Sequence, residues 1–140
     1  KRNSRVQFIQ GDALNLPFED ASFDIVSIGF GIRNVDDVNK SISEMYRILK
    51  PGGKAVILEF GQPKNSLFRF VYNIYSKYIM PFIGNIFARS KEAYTYLPTT
   101  AGAFPCRNDF LDIARKSANF NNMEYYTLTF GIAYIYILEK

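Results

Sequence analysis

Between Phe23 and Phe60 the chain writes a strand, a helix and a second strand in immediate succession, and few folds accommodate that order. Phe23-Asp24-Ile25-Val26-Ser27-Ile28 is β-rich, and Gly29 and Gly31 bracket Phe30 where the chain must leave a sheet. Asp36 or Asp37 can cap a helix whose apolar positions Val38, Ile42, Met45 and Leu49 step by four, three and four. Arg47 and Lys50 near its end suit the negative pole of the helix dipole, and Pro51-Gly52-Gly53 stops it. Lys54 to Phe60 then reads as a buried strand, so the segment is one right-handed crossover unit of an α/β sheet.

The flanks extend the same pattern. Val6-Gln7-Phe8-Ile9 predicts a short strand ending at Gly11-Asp12. Asn108 with Asp109 and Asp112 opens a further helix through Phe110, Ile113, Ala114 and Ser117, and Asn119 just after it is acceptable as a left-handed cap. Glu124 to Leu128 and Ile132 to Leu138, separated by Thr129-Phe130-Gly131, predict an antiparallel hairpin. The chain has 140 residues, about one domain, and is expected to be a single domain with an insert.

Composition removes whole classes of chemistry. There is no His and one Cys, so imidazole bases, Ser-His-Asp relays, mixed His/Cys metal sites and internal disulfides are excluded. Any catalysis rests on carboxylates, Tyr, Arg, amides or a bound cofactor.

Charge is unevenly placed. The net +4 lies in 61–104, where Lys64, Arg69, Lys77, Arg89 and Lys91 face only Glu92, and where ten of the 23 aromatic residues also fall. Arg69, Lys77 and Pro81 interrupt the apolar run, which a transmembrane span of about 18 to 20 residues does not tolerate. Leu67, Val71, Ile74 and Tyr78 recur at helical spacing. They describe either an amphipathic helix covering the rest of the fold or an aromatic lid over an apolar substrate, resting on an anionic membrane surface. Five scattered cations make no basic stripe, so nucleic acid is not an expected partner.

Ligands of open α/β sheets sit at the C-terminal ends of strands. Three such ends are readable: Gly11-Asp12-Ala13, Gly29 to Asn34, and Glu59-Phe60-Gly61. Asp12 can accept a hydrogen bond from an amine while Leu14 and Leu16 flank an aromatic base, or it can simply cap a turn. Arg33-Asn34 offers a cation and an amide to a phenolate or carbonyl oxygen, or else a salt bridge at a helix entry.

These residues carry a resemblance. Gly11-Asp12-Ala13 with Leu16-Pro17-Phe18, Phe30-Gly31-Ile32-Arg33-Asn34-Val35, Met45 through Gly53 and Leu58-Glu59-Phe60 resemble the motifs of S-adenosylmethionine-dependent methyltransferases. The Phe-Gly-x-Arg-Asn-Val hexad is similar to that of the ubiquinone and menaquinone biosynthesis C-methyltransferase family, as are Tyr75-Ser76, Tyr94-x-Tyr96-Leu97 and Leu128-Thr129-x-Gly131.

The resemblance implies a Rossmann-like sheet in which Asp12 and Ala13 hold the adenine end of S-adenosylmethionine and Gly29 lines its pocket. It implies methylation of a ring carbon of a polyprenylated benzoquinol or naphthoquinol. Arg33 with Asn34 would stabilise the oxygen beside the attacking carbon, Tyr75 and Tyr96 would line the quinol pocket, and 61–104 would be the substrate lid. A cytoplasmic protein, peripheral at the inner membrane surface and compatible with a homodimer, is the matching expectation.

No Gly-rich GxGxG-type loop and no ribose-binding acid precede Val6. The expectation is a partial domain, 1–140, lacking the first two strands and binding S-adenosylmethionine weakly or not at all on its own. Its rivals are a non-catalytic half-domain or accessory subunit that binds quinol or a partner, and a methyltransferase for another small phenolic acceptor.

Overall fold

The computed structural model describes residues 6–75 and 102–140. Four strands, β1 (Phe23–Gly29), β2 (Leu49–Phe60), β3 (Asn122–Leu128) and β4 (Ala133–Glu139), form one mixed sheet in the order β1-β2-β4-β3. β1 and β2 are parallel, joined through α1 (Val38–Ile48), as the crossover pattern predicts. β4 runs antiparallel to β2 and forms a hairpin with β3. α2 (Ser66–Ile74) follows β2, and α3 (Asn108–Ser117) precedes the hairpin.

Local signals account for most boundaries. The Asp37 side chain accepts the Lys40 N–H at 3.0 Å and starts α1, and Asn65 does the same for α2 with Leu67 and Phe68. Pro51-Gly52-Gly53 does not break the chain away from the sheet. Pairing passes from Phe23↔Leu49 to Ile25↔Lys54, so these residues bulge within β2, with Gly52 at φ +77°.

Alternation decides which face is buried. Ala55, Ile57 and Glu59 of β2 and Tyr134, Tyr136 and Leu138 of β4 share one buried face with Ile42 and Met45 of α1 and Phe110, Leu111 and Ala114 of α3. Each apolar side chain fully buried there contributes about 1.5–3 kcal/mol. The opposite face is thinner: Val56, Leu58, Ile135 and Ile137 are half-buried and Ile25 is exposed. Gly61 is fixed by packing, because a Cβ there would collide with the Tyr134 ring.

Two expectations are corrected. Val6 to Ile9 form no strand and expose Val6, Phe8 and Ile9, because no described strand lies beside them to complete a ladder. Asn119 is not a left-handed cap: α3 ends on Ala118 in extended conformation, φ −163° and ψ 165°. α3 starts at Asn108 as expected; its N-terminal flank is Arg107 at φ +60°, which offers no side-chain cap and whose N–H donates to the Tyr136 hydroxyl at 2.7 Å.

Candidate active site at the C-terminal edge of the sheet

β1 and β2 end side by side, with Gly29 opposite Leu58 and the Phe30 N–H donating to the Leu58 carbonyl at 2.8 Å. The chain then reverses through Phe30, a non-glycine residue at φ +55°. Such strain costs about 1–3 kcal/mol and persists only where surroundings enforce it. Here the Phe30 ring packs on Phe60, centroids 4.3 Å apart. A single 3₁₀ turn, Ile32–Asn34, follows, with Ile32 wholly buried as its anchor.

That anchor delivers Arg33 onto Glu59. Nη1 of Arg33 lies 2.6 Å from Oε1 of Glu59, with the side chains 7% and 1% exposed. Nη1 also donates to the Phe30 carbonyl at 2.8 Å, and the guanidinium lies 5.5 Å over the Phe60 ring. Glu59 Oε1 further accepts the Phe60 N–H at 2.8 Å, so the carboxylate is held by protein donors on both sides.

One donor of the cluster is left over. Arg33 Nε is buried with no hydrogen-bond partner among the described residues. An unsatisfied buried donor costs about 1–3 kcal/mol. The pair is therefore a fixed, charge-balanced donor platform rather than a free surface cation.

Asp12 sits elsewhere on the same chain reversal logic. Its Oδ1 accepts the Leu14 N–H at 2.9 Å and its carbonyl accepts the Asn15 N–H at 3.0 Å, making a tight turn. Both turn acceptors are local and the side chain is exposed, so the second carboxylate oxygen remains available to an amine. Ala13 is half-buried in that turn. At Gly29 a Cβ would meet nothing within 4 Å, so the strand end borders open space.

The proposed quinol-lining residues divide. Tyr75 is exposed, immediately after α2, and Tyr96 lies outside the described residues. Of the 61–104 insert, 76–101 likewise lie outside them. α2 buries no residue: Leu67, Phe70, Val71 and Ile74 are exposed, while Phe68 meets Phe130 at 5.5 Å. Tyr134 and Tyr136 are buried tyrosines whose phenols burial pushes above the ordinary range, so both stay protonated at neutral pH.

Sequence reasoning named Arg33 and Asn34 but gave no role to Glu59. Its signal was an acid in an otherwise apolar buried strand, a placement that requires a partner. Asn34 is exposed and donates its backbone N–H to the Gly31 carbonyl at 3.0 Å.

Comparison with known proteins agrees with this architecture. The model of the ubiE/COQ5 methyltransferase family matches residues 1–140. The ubiquinone/menaquinone biosynthesis C-methyltransferase UbiE of Bdellovibrio bacteriovorus is 50% identical over 136 residues, 97% of this chain and 58% of that protein. The demethylmenaquinone methyltransferase of Staphylococcus carnosus is 44% identical over 140 residues, 100% of this chain and 58% of that protein. The chain thus spans somewhat over half the length of these relatives. Among solved structures, a SAM-dependent methyltransferase of Thermotoga maritima superposes with TM-score 0.63 at 23% identity, over 94% of this chain and 63% of its own. Haemonchus contortus phosphoethanolamine N-methyltransferase 2, solved with S-adenosyl-L-methionine, gives TM-score 0.54 at 25% identity, over 84% of this chain and 22% of its own.

Proposed function

Since the chain belongs to the ubiE/COQ5 methyltransferase family, we propose that it carries the substrate side of a C-methyltransferase acting on a prenylated benzoquinol or naphthoquinol. The observation that supports this most is the buried Arg33–Glu59 pair, with one guanidinium nitrogen left unpaired, placed at the joint C-terminal end of β1 and β2.

Asp12 and Ala13 would hold the adenine end of S-adenosylmethionine, with Gly29 bordering the rest of it. Bound there, the cofactor supplies the methyl group as a sulfonium electrophile. The protein's task is then alignment and raising the electron density of the ring. Arg33 does the second, its guanidinium favouring ionisation of the ring hydroxyl beside the attacking carbon, whose proton passes to solvent. The phenolate then pushes density into the ring, the carbon takes the methyl as S-adenosylhomocysteine departs, and the ring C–H proton is lost to solvent to restore aromaticity. Glu59 and the Phe30 carbonyl keep the guanidinium from rotating, so no reorganisation is needed when the charge develops. Asn34, next along the 3₁₀ turn, and Tyr75 flank the ring from the lid side.

α2 suits an isoprenoid substrate drawn from a membrane. Its exposed Leu67, Phe70, Val71 and Ile74, with Lys64 and Arg69 nearby and no acidic residue from 61 to 75, match an anionic lipid surface. No helix among the described residues is long and apolar enough to cross a membrane.

The test supplies the complete protein with S-adenosylmethionine and, separately, demethylated benzoquinol, demethylated naphthoquinol and a simple phenol. Methylation of either prenylated quinol upholds the reading and chooses the ring; turnover of the simple phenol alone favours an acceptor of another class.

A further inference from the structure

A second charged cluster, separate from Arg33 and Glu59, fastens the Asp12 loop to α1. Glu44, 5% exposed, and Arg47 form a two-toothed pair: Arg47 Nε donates to Oε1 of Glu44 at 2.9 Å and Nη2 to Oε2 at 2.8 Å. Both also hold the backbone of Leu16. Glu44 Oε2 accepts the Leu16 N–H at 2.9 Å, and Arg47 Nη2 donates to the Leu16 carbonyl at 3.0 Å. The remaining nitrogen, Nη1, donates to the Phe18 carbonyl at 2.8 Å and to Asp20 Oδ1 at 2.7 Å.

Leu16 is the first residue after the Asp12–Asn15 turn, and from 13 to 20 the chain has no helix or strand of its own. Its order therefore comes from these side chains and from the Ala21 and Ser22 N–H groups, which donate to the Arg47 and Ile48 carbonyls at 3.1 and 2.8 Å. Arg47 spends all three guanidinium nitrogens on this task, and lysine could not reproduce the fork. A network so complete, spanning about thirty residues of sequence, determines where the Asp12 turn stands relative to the sheet.

We propose that Glu44 and Arg47 are positioning residues for cofactor binding, setting the location of the Asp12 carboxylate without touching the chemistry. The proposal rests on the reading that Asp12 holds the adenine amine. Loss of the fork should then weaken S-adenosylmethionine binding while leaving turnover at saturating cofactor nearly intact, because Arg33 and Glu59 are anchored independently.

The experiment uses the complete protein and measures the S-adenosylmethionine dissociation constant by calorimetry, kcat and KM, and Tm, for Arg47→Lys, Glu44→Gln, Asp12→Asn and the Arg47→Lys/Asp12→Asn double variant. Arg47→Lys is expected to raise Kd and the cofactor KM about tenfold with kcat within twofold, and Asp12→Asn to raise Kd comparably. The double variant should bind no more weakly than Asp12→Asn alone, since the location of a missing carboxylate no longer matters. Glu44→Gln keeps an acceptor for the Leu16 N–H and should show a smaller rise, which also serves should Arg47→Lys not fold. A lowered Tm with unchanged Kd, or additive losses in the double variant, would overturn the proposal as a purely structural role. An unchanged Kd in Asp12→Asn would instead sink the reading of Asp12, and the positioning role with it.

Discussion

Arg33 Nη1 and Glu59 Oε1 lie 2.6 Å apart across the ends of two parallel strands, 26 residues apart in sequence and almost wholly shielded from solvent. Desolvating both charges is expensive, and such a pair is seldom retained for stability alone, since apolar replacements of similar size are often neutral or better. Breaking one half is different, because the partner is left buried and uncompensated at about 3–5 kcal/mol. Arg33→Ala should therefore lose both stability and around a hundredfold or more in turnover, the scale of one lost oxyanion donor. The double replacement Arg33→Met/Glu59→Leu separates the two effects: it should melt near the wild-type Tm and remain as inactive as Arg33→Ala. Activity recovering together with stability would show that the pair is only structural.

Glu44 gives a pH signature. The Arg47 hydrogen bonds beside it, aided by the Leu16 N–H, hold its carboxyl below the usual glutamate range against the opposing effect of burial. A depressed folded-state pKa contributes stability that is fully present above the unfolded value of about 4.3 and is lost as pH falls through the folded value. The difference in Tm between wild type and Glu44→Gln should accordingly be constant from pH 6 to 8 and shrink below about pH 4. A difference that grows on acidification would contradict the pairing.

Gly61 tests the packing that carries the strand ends. Its missing Cβ leaves room for the Tyr134 ring, and its N–H donates to the Ile132 carbonyl at 2.9 Å. Gly61→Ala should cost about 1–3 kcal/mol by overpacking, read from urea unfolding, whereas Gly29→Ala, with open space at that position, should cost under about 1 kcal/mol.

The exposed face of α2 is where the proposed lipid contact would lie. Leu67→Asp/Val71→Asp should abolish sedimentation with vesicles containing anionic lipid while leaving Tm within a few degrees, because α2 buries none of its residues. Equal sedimentation of the variant would place the contact elsewhere.

Much of this was legible in the sequence, and the exceptions have physical causes. α1, the parallel pair and the hairpin followed from apolar periodicity and turn residues, since both are local signals. Val6 to Ile9 misled, because strand propensity is a local preference and a strand needs a ladder to form. Asn119 misled because asparagine permits a left-handed conformation without requiring it. Arg33 was visible as a candidate, but its partner Glu59 was not, and neither was the Glu44 and Arg47 hold on Leu16. Those contacts join residues 26 to 31 positions apart, and only the crossover geometry brings them together.

The most direct test of the account is the destination of the methyl group. The complete protein, incubated with S-adenosylmethionine bearing a trideuterated methyl and a demethylated prenylated quinol, should place the label on a ring carbon, seen by mass spectrometry and carbon NMR, and Arg33→Ala should lower the labelling rate a hundredfold or more. Label on a quinol oxygen, or a ring-methylation rate unchanged in Arg33→Ala, would contradict it.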